Sequence, residues 1–594
     1  MNHIMHIDSL PHSMLRHIME FAAAPLQRWW NDWKHTLALV QVSRHWRHTG
    51  MDVVYSQLHV FCMEADANDD SDDEGDDVAV REIRTYGAMR QMAWATNGPL
   101  VLEVGATRLV REVRLNLHGP GYMFPYLSGV TALLAQMNPA AAWPRVRSLS
   151  VHLASDYAEP DAMASADGLE TAAEFADALA CAFPRVRRLR VGGSDASEAF
   201  CRFADRLTYR YAERLRILEA MYPVSCVAPE LCGQLAALHL TVRPYIGQLV
   251  PHVVPRALRR LCLDGVSVHF RWQCFYGAEG RSRNLRFEHL EQLAVHYNAI
   301  TSMEVDAVVT ANYSGRTAND DAAGAGTDCW LEFPRLRTLA VTRCPPSGGL
   351  LRYCSLPQSS LESVSLDGAL GAVCELAQFV GHVTCVADLS LSVRGSRPST
   401  GELDAMVDAL NRLYSEDWRM ESGALCLFDE IALQPSHIVG IQSVNLRELT
   451  VDSALSLGMF VRIIETQPQL LSISCYSLQI AVAEQPMDNL ILEMIIDKLD
   501  QGDIDSRMAE AADDDSPWAN VQPLESQLES IVVSNHVDLF SCKAALSLVC
   551  WLMLSIRSLK YILASRLSLK QATRFVELAS PMYPHLLDID INTS

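Results

Sequence analysis

Hydrophobic positions in this chain recur inside one short phrase. It reads Pro144-Arg145-Val146-Arg147-Ser148-Leu149-Ser150-Val151, then Pro184-Arg185-Val186-Arg187-Arg188-Leu189-Arg190-Val191, then Pro334-Arg335-Leu336-Arg337-Thr338-Leu339-Ala340-Val341. The shared core is apolar-x-x-Leu-x-apolar. Alternation over its last residues predicts a short strand with every second side chain on a continuous core. Weaker copies occur at 113–117, 258–263, 290–295, 361–366, 386–391, 446–451, 470–475, 528–533 and 586–591.

Helical spacing of apolar residues fills several of the gaps, at 170–182, 401–414, 457–465 and 569–579. Strand, loop, helix, loop is therefore the predicted unit, which makes the fold class α/β. Val341 to Leu366 and Leu366 to Leu391 are each 25 residues apart. Other intervals are longer and predict either an insertion or a second repeat too degenerate to read. An array of this kind stacks its units and offers an extended recognition surface.

From about Leu58 onward the chain resembles leucine-rich-repeat proteins of the irregular, intracellular kind, whose repeats run 20–29 residues. The resemblance implies a horseshoe-like solenoid over 58–594. The family pattern places Asn or Cys three positions after the last strand apolar. Cys344 fits that position, whereas Ala154, Val266 and Ala369 stand there in other copies, which implies irregular curvature. An ordinary α/β sheet with Leu-rich strands is the alternative. It explains the strands but not their shared Pro-Arg-apolar-Arg approach. About a dozen parallel strands at ~4.8 Å would span roughly 55–60 Å, enough for a protein ligand.

Residues 1–57 read differently. Asp8 or Ser9 can cap a helix whose first turn suits Pro11, with Leu15, Ile18 and Phe21 on one face. A second apolar helix runs through Leu37, Leu39, Val40 and Val42, followed by Trp46-Arg47. This order resembles an F-box. The resemblance implies docking on the Skp adaptor of a cullin-RING ubiquitin ligase through Leu10, Pro11, Leu15, Ile18, Leu39, Val40, Val42 and Trp46. The segment 22–36, with Trp29, Trp30 and Trp33, is longer than the usual connection. The plainer alternative is a helical cap over the first strand of the array.

Charge narrows the function classes. The 594 residues carry a formal net charge of −22, against the basic footprint that nucleic-acid binding needs. Nine of the acids lie in 64–77, which holds no base and is expected to be a disordered insertion. Loops are expected at 304–329 and 501–517. Asp70, Asp72, Glu74 and Gly75 faintly resemble a calcium loop, but Arg81 stands where that loop needs a carboxylate, so no metal is expected. Sixteen cysteines include no Cys-x-x-Cys pair and read as small buried hydrophobes in a reducing compartment. No signal-peptide pattern opens the sequence, and the longest apolar run, 544–556, is too short to span a bilayer. A soluble cytoplasmic or nuclear protein without membrane contact is expected.

No phosphate-binding glycine loop, nucleophile elbow or zinc-protease motif occurs, so neither an enzyme nor a cofactor is expected. A regulatory partner of a GTPase, built on similar repeats, would need a positioned polar residue that the sequence does not single out. Arg145, Arg147, Arg185, Arg187, Arg335 and Arg337 recur beside the strands. They read either as a basic target-facing strip or as ordinary solvation of outward positions. The leading expectation is a substrate receptor of a ubiquitin ligase, with an unidentified target protein. The alternative is a leucine-rich scaffold with no ligase role.

Overall fold

The computed structural model describes residues 55–64, 85–87, 90–96, 105–119, 143–155, 166–193, 198–221, 234–241, 257–264, 272–275, 285–296, 331–344, 354–357, 361–383, 386–394, 422–427, 446–479, 524–533, 552–564 and 584–592, with a few isolated positions. The F-box-like residues Leu10 to Trp46, almost all of the acidic insertion and the expected loops 304–329 and 501–517 lie outside the described residues. The chain divides into two compact units. One is Met1–Leu290 with Ser302–Ala325 and Trp330–Glu332; the other is Glu291–Thr301, Gly326–Cys329 and Phe333–Ser594.

Unit one contains strands β1 (Gln57–Glu64), β2 (Thr85–Gly87), β3 (Arg90–Thr96), β4 (Glu112–Gly119), β5 (Ser148–Ser155), β6 (Arg188–Gly193), β7 (Ile217–Met221), β8 (Ala237–Thr241) and β9 (Arg260–Asp264). From β1 through β4 to β9 each strand pairs in parallel with the next. Parallel neighbours need a crossover, and helices supply two of them: α1 (Ala166–Ala182) and α2 (Glu198–Tyr211). The register lines up the phrase. Leu58, Val113, Leu149, Leu189, Leu218, Leu238 and Leu261 are successive partners, and none is more than 1% exposed. Val60, Leu115, Val151, Val191, Ala220, Leu240 and Leu263 form a second buried column.

The helices close the other side of this core. Ala172, Phe175, Ala176 and Leu179 of α1, and Phe200, Phe203, Ala204, Leu207 and Tyr211 of α2, are buried at helical spacing. Phe175 stacks on Phe203 with ring centroids 5.3 Å apart. Farther out, Asp177 accepts from both Arg206 and Arg210, and these two guanidinium groups hold its carboxyl well below the usual carboxylate range.

Among the described residues of unit two, ten strands run in parallel: β10 (Gln292–His296), β11 (Thr338–Cys344), β12 (Leu361–Gly368), β13 (Val386–Val393), β14 (Ser422–Leu427), β15 (Leu446–Ser456), β16 (Ser472–Gln479), β17 (Ser530–Val533), β18 (Tyr561–Ala564) and β19 (Asp590–Asn592). Helices α3 (Leu370–Val383) and α4 (Leu457–Thr466) cross over between β12 and β13 and between β15 and β16. Register shifts interrupt the ladder at Val341/Cys344, Gly423/Ala424 and Val451/Ala454. Cys344 lies just past the first of these, buried, its Sγ 3.9 Å from the Val341 carbonyl. Burial raises the thiols of Cys344 and Cys475 to about 12, as befits small buried hydrophobes.

Several expectations needed correction. The first apolar residue of the phrase is buried in the turn before the strand, so Val146, Val186 and Leu336 precede β5, β6 and β11. The copy at 586–591 is mainly a 3₁₀ turn, Pro584–Asp588, and only Asp590–Asn592 is strand. The long intervals, for which an insertion and a degenerate repeat both stood open, hold further strands: β7 and β8 after β6, β14 after β13, and β18 after β17. Strands β2 and β3 form an antiparallel hairpin, and β3 covers the first strand's free edge. No helix among the described residues is long and apolar enough to cross a membrane.

Candidate functional site: a basic turn edge in unit one

The phrase folds into the same turn each time. The carbonyl of Trp143 accepts from the Val146 amide (3.4 Å), and that of Phe183 from the Val186 amide (3.4 Å). Pro144 and Pro184 occupy the second turn position, where their fixed φ fits and no amide donor is missed. Trp143 and Phe183 are themselves buried, so each turn is pinned to the core by an aromatic ring.

After the turn, one residue per coil carries the link to the next coil. The Arg111 carbonyl accepts from the amides of Arg147 (2.8 Å) and Ser148 (3.2 Å). The Arg147 carbonyl accepts from Arg187 (2.8 Å) and Arg188 (2.9 Å), and the Arg187 carbonyl from Arg216 (2.7 Å) and Ile217 (3.0 Å). Arg111, Arg147, Arg187 and Arg216 are thus successive rungs of one ladder, about 4.8 Å apart as adjacent strands are. Arg145, Arg185 and Arg214 form a second ladder two positions earlier in the turns.

Where these ladders meet, Arg147, Arg185, Arg187, Arg214, Arg216, Glu213 and Gln234 line an open depression of about 470 Å³. Five guanidinium groups face one carboxylate. Arg147 Nη1 donates to the Arg185 carbonyl (3.4 Å) and Arg216 Nη1 to the Gln234 carbonyl (3.1 Å). Arg185 Nη1 donates back to the Pro144 carbonyl (3.2 Å) and Arg214 Nη1 to the Pro184 carbonyl (2.6 Å). A guanidinium carries five N–H donors, so each of these keeps several for another partner. None of the five makes an ion pair among the described residues. Partial burial, and then repulsion from Arg187 and Arg185, pushes the Arg147 guanidinium below the ordinary arginine value.

Several other arginines among the described residues are neutralised. Glu112 takes Arg114, Glu219 takes Arg188 and Arg190, Glu332 takes Arg286, and Asp367 takes Arg394. In two stretches of unit two the same rung alternates in sign, while between them it carries Arg447 and then Leu471. Its backbone bonds connect Glu291, Arg337 and Glu362 in one stretch, and Glu529, Lys560 and Asp590 in another. Arg337 pairs with Glu362 at 3.2 Å and Lys560 with Glu529 at 2.6 Å.

Beside the turn edge, the outward strand positions of unit one form mixed rows. His59, Arg114, Ser150, Arg190, Glu219, His239 and Cys262 are successive partners. The corresponding row in unit two is small and uncharged through Ala294, Ala340, Ser365, Ser390 and Ala424. Among the described residues no cluster of His, Cys, Asp or Glu could hold a metal ion.

Of the arginines singled out from sequence, Arg147, Arg185 and Arg187 line the depression; Arg145 sits on the same turn edge outside it. Arg335 and Arg337 belong to unit two. Sequence reasoning missed Arg214 and Arg216. Their signal was present: Glu213-Arg214-Leu215-Arg216-Ile217-Leu218-Glu219-Ala220 is the phrase with Glu for Pro and a weak Ala ending.

No family model matches the chain, and no curated protein matches it. Solved structures similar to it include the crystal structure of the Rad7 and Elc1 complex in yeast, at 10% identity and a TM-score of 0.28, covering 66% of this chain and 85% of that one. Another is the leucine-rich-repeat protein LIC12759 of Leptospira interrogans, at 9% identity and a TM-score of 0.26, covering 87% of this chain and 94% of that one. The parallel strands, their register and their crossovers make each unit an irregular, leucine-rich-repeat-like array.

Proposed function

We propose that this chain is a non-enzymatic receptor that holds a target protein on its repeat array. The observation that carries the reading is the turn edge of unit one: five arginines that make no ion pair among the described residues and outnumber the single carboxylate beside them, on a chain of net charge −22. Uncompensated charge beside an extended strand face suits an acidic partner, because complementary potentials speed encounter and fix orientation. Within this reading the N-terminal segment, through Leu10, Pro11, Leu15, Ile18, Leu39, Val40, Val42 and Trp46, docks the Skp adaptor of a cullin-RING ligase. The mechanism is then proximity: two binding events on one chain raise the target's effective concentration near the ubiquitin-loading machinery. The compartment is the cytoplasm or nucleus.

The test is co-purification of the full chain with the Skp adaptor. Wild type is expected to carry the adaptor and Leu15→Asp to lose it, with an unchanged melting curve. A wild type that never binds the adaptor removes the ligase role and leaves a leucine-rich scaffold.

A further inference from the structure

We propose that the depression at the turn edge of unit one is a site for a phosphate-ester dianion, borne either by a phosphorylated side chain of a partner or by a small phosphate ester. The proposal goes beyond the receptor reading and does not depend on the N-terminal segment.

The ladder position itself makes the case. One rung per coil is fixed by backbone hydrogen bonds, so whatever residue stands there meets its like a strand spacing away. Two stretches of unit two alternate acid and base at this rung, and each holds an ion pair, Arg337 with Glu362 and Lys560 with Glu529. Unit one places Arg111, Arg147, Arg187 and Arg216 there in succession, and adds Arg185 and Arg214 from the turns. Such a stack is self-repelling unless an anion enters it. Within the depression Glu213 is the single carboxylate, and it makes no ion pair among the described residues.

The number and spacing of donors select the anion. Four of the five guanidinium groups are anchored by one N–H to a backbone carbonyl. They are therefore held in place with donors to spare. Arg187, in the middle, has no side-chain hydrogen bond among the described residues. A phosphate ester brings up to two charges and three strong acceptor oxygens, which guanidinium groups on adjacent rungs can share in bidentate fashion. A single carboxylate has one charge and two oxygens, and would leave most of the cluster uncompensated. A long nucleic acid is disfavoured by the acidity of the whole chain.

The test is calorimetric titration of the full chain at constant ionic strength with three probes: a phosphoserine hexapeptide, its unphosphorylated twin, and phenyl phosphate. At least one phosphate-bearing probe is expected to bind about tenfold or more tightly than the twin. Arg187→Ala is expected to weaken that binding about tenfold. Because the Arg187 side chain anchors no other group among the described residues, this variant should melt as wild type does. Arg337→Ala, at the same rung of unit two, should leave binding unchanged. A phosphopeptide tighter than phenyl phosphate assigns the site to a partner's modified side chain; equal affinities assign it to the free ester. The proposal is overturned if neither phosphate probe outbinds the twin, or if Arg187→Ala binds as wild type does.

Discussion

His59 shows that a position in the outward row can still be buried. It lies on β1 in the mixed row, yet it is only 9% exposed and meets Gln57 Oε1 at 3.1 Å. Burial first, and then Arg114, lowers its imidazole to about 4, while Glu112 acts against the shift. An unfolded histidine titrates near 6.5, so between these values the unfolded state binds the extra proton. Stability from this residue is therefore constant above about pH 6.5 and falls as pH drops towards 4, by roughly 3 kcal/mol in all. Urea unfolding at pH 7.5 and 4.5 should show that loss, and His59→Gln should show a smaller one. An equal pH dependence in the variant would contradict this assignment. Residue type alone does not reveal such a site: the sequence shows an alternating His, and nothing in it marks that position as buried.

At the scale of elements, the repeat phrase was legible because its leucines must stack. Leu189 is the centre of the inner column, fully buried between Leu149 and Leu218. Leu189→Ala should cost about 2–5 kcal/mol, read as a lowered denaturation midpoint. A different constraint holds the strand's end. A Cβ on Gly193 would lie 2.1 Å from the Leu153 carbonyl oxygen, so the β5 and β6 backbones approach too closely for any side chain. Gly193→Ala should lower stability by about 1–3 kcal/mol, and a neutral result would contradict the close approach. What the sequence hid at this scale has physical reasons. In β18 Ile562 stands for the leucine and Ala564 ends the phrase, while β14 carries Gly423 beside a register shift. The β2–β3 hairpin follows no repeat at all. It pairs with an edge that the array leaves open, a tertiary demand rather than a local pattern.

At the scale of the whole molecule, the sequence showed a repeat array, but not where charge would gather. Arg145 to Arg187 and Arg335 to Arg337 look alike as phrases. They differ because the rung beside Arg337 carries Glu362, whereas the rungs beside Arg187 carry Arg147 and Arg216. Neighbourhood along the ladder spans about 25 to 40 residues of chain, so the contrast appears only once the strands are in register. The receptor proposed above would have two separable binding functions on one chain. The most direct measurement is quantitative affinity purification of the full chain against Leu15→Asp and against Arg187→Glu with Arg216→Glu, with the Skp adaptor as the named readout. Leu15→Asp should lose the adaptor, and the arginine variant should keep it while losing proteins captured by wild type and Leu15→Asp alike. Absence of the adaptor from the wild-type sample, or its loss in the arginine variant, would contradict a receptor with two independent binding functions.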